Sequence, residues 1–346
     1  MTISSFERFL ELDACRGIAA LVVALAHLTL HYDLLFGFKA EWFEAQRLGD
    51  LVFLLSRLPV YFFFLISGFV IGLTLLNVDS MRQFAIFRFA RLFPAYWAAV
   101  ILTSLLLSAT ALVGKPPTGS EIALNMTMIQ PLIGVRGIDP VYWSLTYELV
   151  FYALIIVCFA RLKRTKETLA AFAALWLMAS SLIWEFAPDF VKGLSILEHL
   201  FKFVPFFTGG IAFFLWRHDE RGMLVICLIV VSAMVAATRV IGPWHPSAFL
   251  VFGLFYLAVS GRAPMLRSAP FLFLGKISYP LYLFHLAPGY LIVTLLDRIG
   301  APTFVSIACA TAVLLFCAFG LHVTIEAPAR RVIRNLAMRR PAHAAA

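Results

Sequence analysis

The side chains best able to do chemistry in this sequence are the few ionisable ones that interrupt long apolar runs. His27 closes the run Ile18-Ala19-Ala20-Leu21-Val22-Val23-Ala24-Leu25-Ala26, and Arg16 stands eleven residues before it. Eleven residues is close to a whole number of helical turns, so both side chains share one face, roughly 16 Å apart along the axis. A neutral imidazole is well suited to take a hydroxyl proton near pH 7, which makes His27 a candidate general base. The same ring also serves as hydrogen-bonded packing between helices. With His31 four residues on, it has the spacing of a zinc pair, but the spacing supplies no third ligand and no metal is expected.

Glu148 lies several residues into the apolar segment that follows Tyr142-Trp143-Ser144-Leu145-Thr146-Tyr147, with Tyr152 one turn further on the same face. A buried carboxylate must be protonated or partnered. Contact with His27 or His285 would orient the ring, as the acid of a triad does; a structural ion pair or a lipid head-group contact is the plainer alternative. Ser278, Tyr282 and His285 fall at i, i+4 and i+7, so one face of their helix is polar. That face lines either a substrate tunnel or a hydrogen-bonded helix contact. Arg88 and Arg91, at i and i+3, also share a face, and a guanidinium fork matches phosphate oxygens. Ser67-Gly68 interrupts an aromatic run, where small residues allow a close helix crossing.

The elements that must position these residues are membrane helices. Of 346 residues, 62% are hydrophobic and 14% charged, with a mean hydropathy of +0.91. A soluble domain carries about 25% charged residues, so lipid is the solvent that fits. Ten apolar runs approach the roughly 20 residues needed to cross a bilayer. They lie near 14–36, 51–76, 92–113, 142–160, 168–187, 196–216, 222–241, 246–260, 271–296 and 303–325. The expected fold is all-α: a polytopic transmembrane bundle of about ten helices, one domain over residues 1–330, followed by a basic cytoplasmic tail at 331–346. With both termini cytoplasmic, 19 of the 28 Lys and Arg residues fall on the inner side, 8 on the outer, and Arg57 near the outer mouth of the second run. That is the positive-inside asymmetry. The basic balance therefore reports topology, and no nucleic-acid partner is expected. The five cysteines form no C-x-x-C pair and read as small buried hydrophobes.

Five motifs in order along the chain carry a resemblance. They are Leu12-Asp13-x-x-Arg16-Gly17 with His27; Phe62-Phe63-x-x-x-Ser67-Gly68-Phe69; Arg88-x-x-Arg91; Trp143-Ser144-Leu145-x-x-Glu148; and Ile277-Ser278-Tyr279-x-Leu281-Tyr282-x-x-His285. Together they resemble the acyltransferase-3 family of bacterial membrane O-acyltransferases. The resemblance implies a ten-helix bundle in the bacterial inner membrane that takes an acyl group, often acetyl, from cytoplasmic acyl-CoA. The acceptor it implies is a carbohydrate hydroxyl, as in an exopolysaccharide, lipopolysaccharide or other glycan or glycolipid. Arg16 and His27 match the family's essential first-helix pair, and Arg88 and Arg91 its arginine pair used for acyl-CoA. His27, Glu148 and His285 are then the candidate catalytic set, Arg16, Arg88 and Arg91 the donor-binding set, and Ser67, Trp143, Ser278 and Tyr282 the substrate lining. The rival class is a proton-coupled transporter or flippase using the same buried His and Glu side chains; paired broken helices in an inverted repeat would mark it, and the sequence displays none. The sequence leaves the oligomeric state open.

Overall fold

The structure is a computed structural model and describes residues 9–31, 45–110, 115–193, 195–218, 222–239 and 245–338. The His31 side chain and residues 339–346 of the basic tail lie outside this set. Helices occupy most of the chain and no strand occurs among the described residues. The long helices are α1 (Leu10–Ala26), α2 (Ala45–Leu76), α3 (Met81–Ala109), α4 (Trp143–Phe159), α5 (Lys166–Phe186) and α6 (Ser195–Arg217). They continue as α7 (Met223–Arg239), α8 (Pro246–Val259), α9 (Ala269–Phe284), α10 (Leu286–Arg298), α11 (Thr303–Leu321) and α12 (Ala327–Met338). Among the described residues seven helical segments are long and apolar enough to cross a membrane, α9 and α10 together form an eighth, and α7 and α8 are shorter apolar helices. All ten expected runs are thus helical over most of their described residues.

Three boundaries differ from the sequence reading. The third run begins at Met81 rather than 92, so Arg88 and Arg91 lie inside α3 and not on its approach. The ninth run is bent by 77° at His285. Pro288 explains the bend: it has no N–H for the Phe284 carbonyl, yet it is tolerated in the first turn of α10. The tenth run does not stop at Glu326-Ala327-Pro328. It passes through a π-helical turn, His322–Glu326, into α12, with Pro328 again in a first turn, so residues 331–338 are helical.

Outward-facing side chains confirm lipid as the solvent. Leu175, Met178 and Leu182 form an exposed stripe on α5, and Val313 and Phe316 are exposed on α11. Water-soluble proteins rarely expose contiguous apolar surface of this kind.

By internal contacts the chain forms two compact units, one running to Val22 with Leu54–Gly72 and Ala170–Ser278, the other holding Val23–Phe53, Leu73–Leu169 and the chain from Tyr279. In the first, backbones meet directly. A methyl on Gly17 would lie 2.3 Å from the Leu274 carbonyl carbon, and one on Gly275 would lie 2.5 Å from the Asp13 oxygen. A methyl on Gly68 would lie 2.1 Å from the Phe207 oxygen. Both crossings leave no room for a Cβ, which accounts for the small residues in the first two motifs.

The first unit also buries Arg239, only 5% exposed, with no carboxylate partner among the described residues. Pro205 lies inside α6 and cannot donate to the carbonyl of Phe201. Arg239 donates to that orphaned carbonyl and to Ser181 Oγ at 3.0 Å, while stacking 5.3 Å from the Trp184 ring centre. Arg239→Met is therefore expected to cost about 1–2 kcal/mol more in the wild type than in a Pro205→Ala background, where residue 205 can bond the carbonyl itself. Thermal unfolding of the four variants in detergent measures this coupling; strictly additive costs would remove the role assigned to Arg239.

Candidate active site

The second unit assembles most of the expected site residues. α1 ends at Ala26 and gives way to a π-helical turn, His27–His31. Such turns are rare and recur at functional sites, because one extra residue re-aims the side chain. His27 Nδ1 lies 3.0 Å from His285 Nε2. His285 is fully buried at the bend between α9 and α10, and its Nδ1 lies 2.8 Å from the Tyr282 carbonyl oxygen.

These two contacts define the proton pattern of the neutral pair. A carbonyl only accepts, so His285 Nδ1 carries the hydrogen and His285 Nε2 must accept. His27 Nδ1 then donates, and the lone pair of His27 resides on Nε2. His285 thus acts on His27 as an orienting acceptor.

Tyr282, on the last turn of α9, bonds Ser144 Oγ at 2.6 Å and donates to the Val141 carbonyl at 2.9 Å. Trp143, half-buried, packs edge-on against Tyr147 at 5.9 Å. Glu148 accepts a hydrogen bond from Tyr152, one turn along α4. Tyr152 is thus one partner of Glu148, on the face the sequence indicates, and a second histidine is one partner of His27.

Asp139 is a further site residue, one that no motif in the sequence marks. It is fully buried; Oδ1 accepts from the Val141 amide at 3.1 Å and Oδ2 from the Ala287 amide at 3.3 Å. One carboxylate therefore caps both the turn leading into α4 and the first turn of α10. Its signal was Asp139-Pro140, a cap residue followed by proline at the first helical position. Burial raises its carboxyl to about 6, although the two amides favour the ionised form. Unfolded, the group titrates near 3.9. A raised value stabilises the fold below the unfolded value, and that contribution is lost as pH rises through about 6. Stability in detergent is thus expected to fall more steeply in the wild type than in Asp139→Asn between about pH 4 and 6; parallel curves would contradict the assignment.

Arg88 is 9% exposed on α3. Its guanidinium bonds Thr74 Oγ1 and lies 5.6 and 5.5 Å from the ring centres of Phe84 and Tyr152, while its buried Nε has no hydrogen-bond partner among the described residues. An unmet buried donor costs about 1–3 kcal/mol. Arg91, one turn on, is half-buried.

In the first unit Arg16 pairs with Asp13 at 2.7 Å and donates to Ser278 Oγ at 3.1 Å, a contact made possible by the glycine crossing beside it. Ser278 therefore bonds Arg16, whereas Tyr282 and His285 of the same polar face bond within the other unit. Ser67 is buried beside Gly68 at the second crossing. Among the described residues no group of three His, Cys, Asp or Glu side chains is placed to hold a metal.

Residues 9–323 match the profile of a family described as an acyltransferase domain, acyltransferase 3. The chain is 23% identical over 314 residues to an acyltransferase named MdmB from Streptomyces mycarofaciens, covering 80% of this chain and 78% of that protein. It is 28% identical over 322 residues to a putative acetyltransferase, ORF330, of Acidianus two-tailed virus, covering 86% and 87%. No solved structure matches the chain.

Proposed function

We propose, from the premise that the chain belongs to the acyltransferase-3 family, that this membrane acyltransferase moves an acyl group, acetyl in the simplest case, from acyl-CoA to a carbohydrate hydroxyl. The observation that carries the reading is the His27–His285 pair, because its hydrogen-bond pattern supports a basic lone pair on His27 Nε2. In the proposed reaction that nitrogen takes the acceptor hydroxyl proton as the oxygen attacks the thioester carbonyl carbon. The tetrahedral intermediate collapses with cleavage of the C–S bond, and the thiolate leaves with the proton returned from His27. His285 is the acceptor that steadies His27 throughout, in the role an acid plays in a triad. The unmet donor of Arg88, with Arg91 beside it, supports a donor-anchoring role toward the acyl-CoA phosphates, and Arg16 is proposed to share that role. Glu148 is proposed to keep Tyr152 oriented against Arg88.

The proposed setting is the bacterial inner membrane with both termini cytoplasmic, as the basic asymmetry favours. The acceptor is proposed to be a surface glycan or glycolipid. A transporter reading finds less support: among the described residues one helix pair is broken, not the two of an inverted repeat. Membranes from cells with and without the protein, incubated with radiolabelled acetyl-CoA, test the reading. Label is expected in the glycan fraction only with the protein present. Equal labelling in both would remove the proposal, and label confined to protein or small molecules would remove the carbohydrate acceptor.

A further inference from the structure

Asp139, Val141, Tyr282 and His285 are joined in a closed circuit of hydrogen bonds. Asp139 Oδ1 accepts from the Val141 amide, and the Val141 carbonyl accepts from the Tyr282 hydroxyl. The Tyr282 carbonyl accepts from His285 Nδ1. Two residues past His285, the Ala287 amide returns to Asp139 Oδ2. All four residues are buried, Asp139 and His285 completely.

We propose that Asp139 is a positioning residue for acyl transfer: by holding both sides of the helix break at His285, it sets the orientation of that ring and through it the tautomer of His27. The physical case rests on what a break requires. Where α9 ends and α10 begins, a 77° bend separates them and the first amides of α10 lack helical partners. A carboxylate satisfies one of them and, lying at a helix N-terminus, gains from the positive end of the dipole. Its other oxygen binds the turn whose carbonyl holds Tyr282, so the ring closes on both sides of His285. A carboxylate is needed because both oxygens accept; an amide supplies one acceptor and sets a donor against the other N–H.

The proposal rests on the reading of His27 as the base, and its test separates the two. Asp139→Asn is expected to lower kcat ~10- to 100-fold with the KM for acetyl-CoA unchanged, the size typical of residues that orient a reacting group's partner. Protein labelled with ¹⁵N-histidine reports the mechanism directly in nanodiscs, with His27→Gln and His285→Gln giving the resonance assignments. In the wild type His27 and His285 are expected to be Nδ1-protonated; in Asp139→Asn the Nε2-protonated form of His27 should appear. Tyr282→Phe breaks a different link and is expected to show the same signs, so it serves if Asp139→Asn does not fold. A wild-type kcat in either folded variant, or a lost kcat with unchanged histidine tautomers, would overturn the proposal. Full activity in His27→Ala would instead overturn the reading beneath it.

Discussion

Alanine at His27 is expected to lower kcat by about 10²- to 10⁴-fold, the usual contribution of a positioned base, while the KM for the acyl donor and the melting temperature in detergent stay near wild type. A thioester is already activated, so the steps left to the protein are removal of the hydroxyl proton and its return to the leaving sulfur. Both pass through one ring nitrogen in the proposed reaction. The neighbouring pair sharpens the expectation. His285→Gln retains an oxygen able to accept from His27 Nδ1 and is expected to lose less than His285→Leu, which offers no acceptor. A packing role predicts the reverse emphasis, with stability falling and kcat following it. Unimpaired turnover in His27→Ala, with the protein at wild-type abundance, would leave the proposed base without a function.

The apolar runs are legible because a bilayer demands about 20 consecutive apolar residues, and each run is helical over most of its described residues. The site residues were legible one at a time, since His27, His285, Arg88 and Glu148 each stand out against their surroundings. Their pairing was not. His27 and His285 are 258 residues apart, and nothing in either neighbourhood names the other. Chemical grounds alone offer Glu148 a histidine, an ion pair or a lipid head group, while Tyr152, the partner at i+4, stands in the sequence only as a neighbour on the same face. Asp139 escaped because its apolar context lies on another helix; in sequence it sits in a loop, and only the following proline hints at a cap. The bend at His285 escaped for a related reason. Hydropathy runs on unbroken through Leu286-Ala287-Pro288, and a proline in a membrane helix is tolerated too often to mark a break by itself. The π-helical turn at His27 has no local signature at all, since it is one residue of extra length absorbed in the helix.

Arg88→Ala is expected to raise the KM for acyl-CoA roughly 10- to 100-fold while kcat changes little, the loss of about 1.5–3 kcal/mol for a hydrogen bond to a charged group. The guanidinium has part of its capacity committed inside the protein: Thr74 takes one Nη2 hydrogen, and the Phe84 and Tyr152 rings flank the charge. The buried Nε is what remains unmet. A cation stacked on two aromatic rings, with no carboxylate among its direct hydrogen-bond partners in the described residues, is a poor salt bridge and a good receptor for an anion that arrives later. Lysine should not rescue it, because an ammonium offers no planar fork to lie against Tyr152 and its hydration is costlier to remove. Arg91→Ala, at a half-buried position one turn away, is expected to raise KM less. The measurement is steady-state transfer with acetyl-CoA varied at saturating acceptor, repeated with a truncated donor, such as an acetylated pantetheine, that lacks the nucleotide phosphates. Wild type and Arg88→Ala should differ with acetyl-CoA and converge with the truncated donor. A defect of equal size with both donors would assign Arg88 to holding α3 against its neighbours and leave the phosphates to other residues.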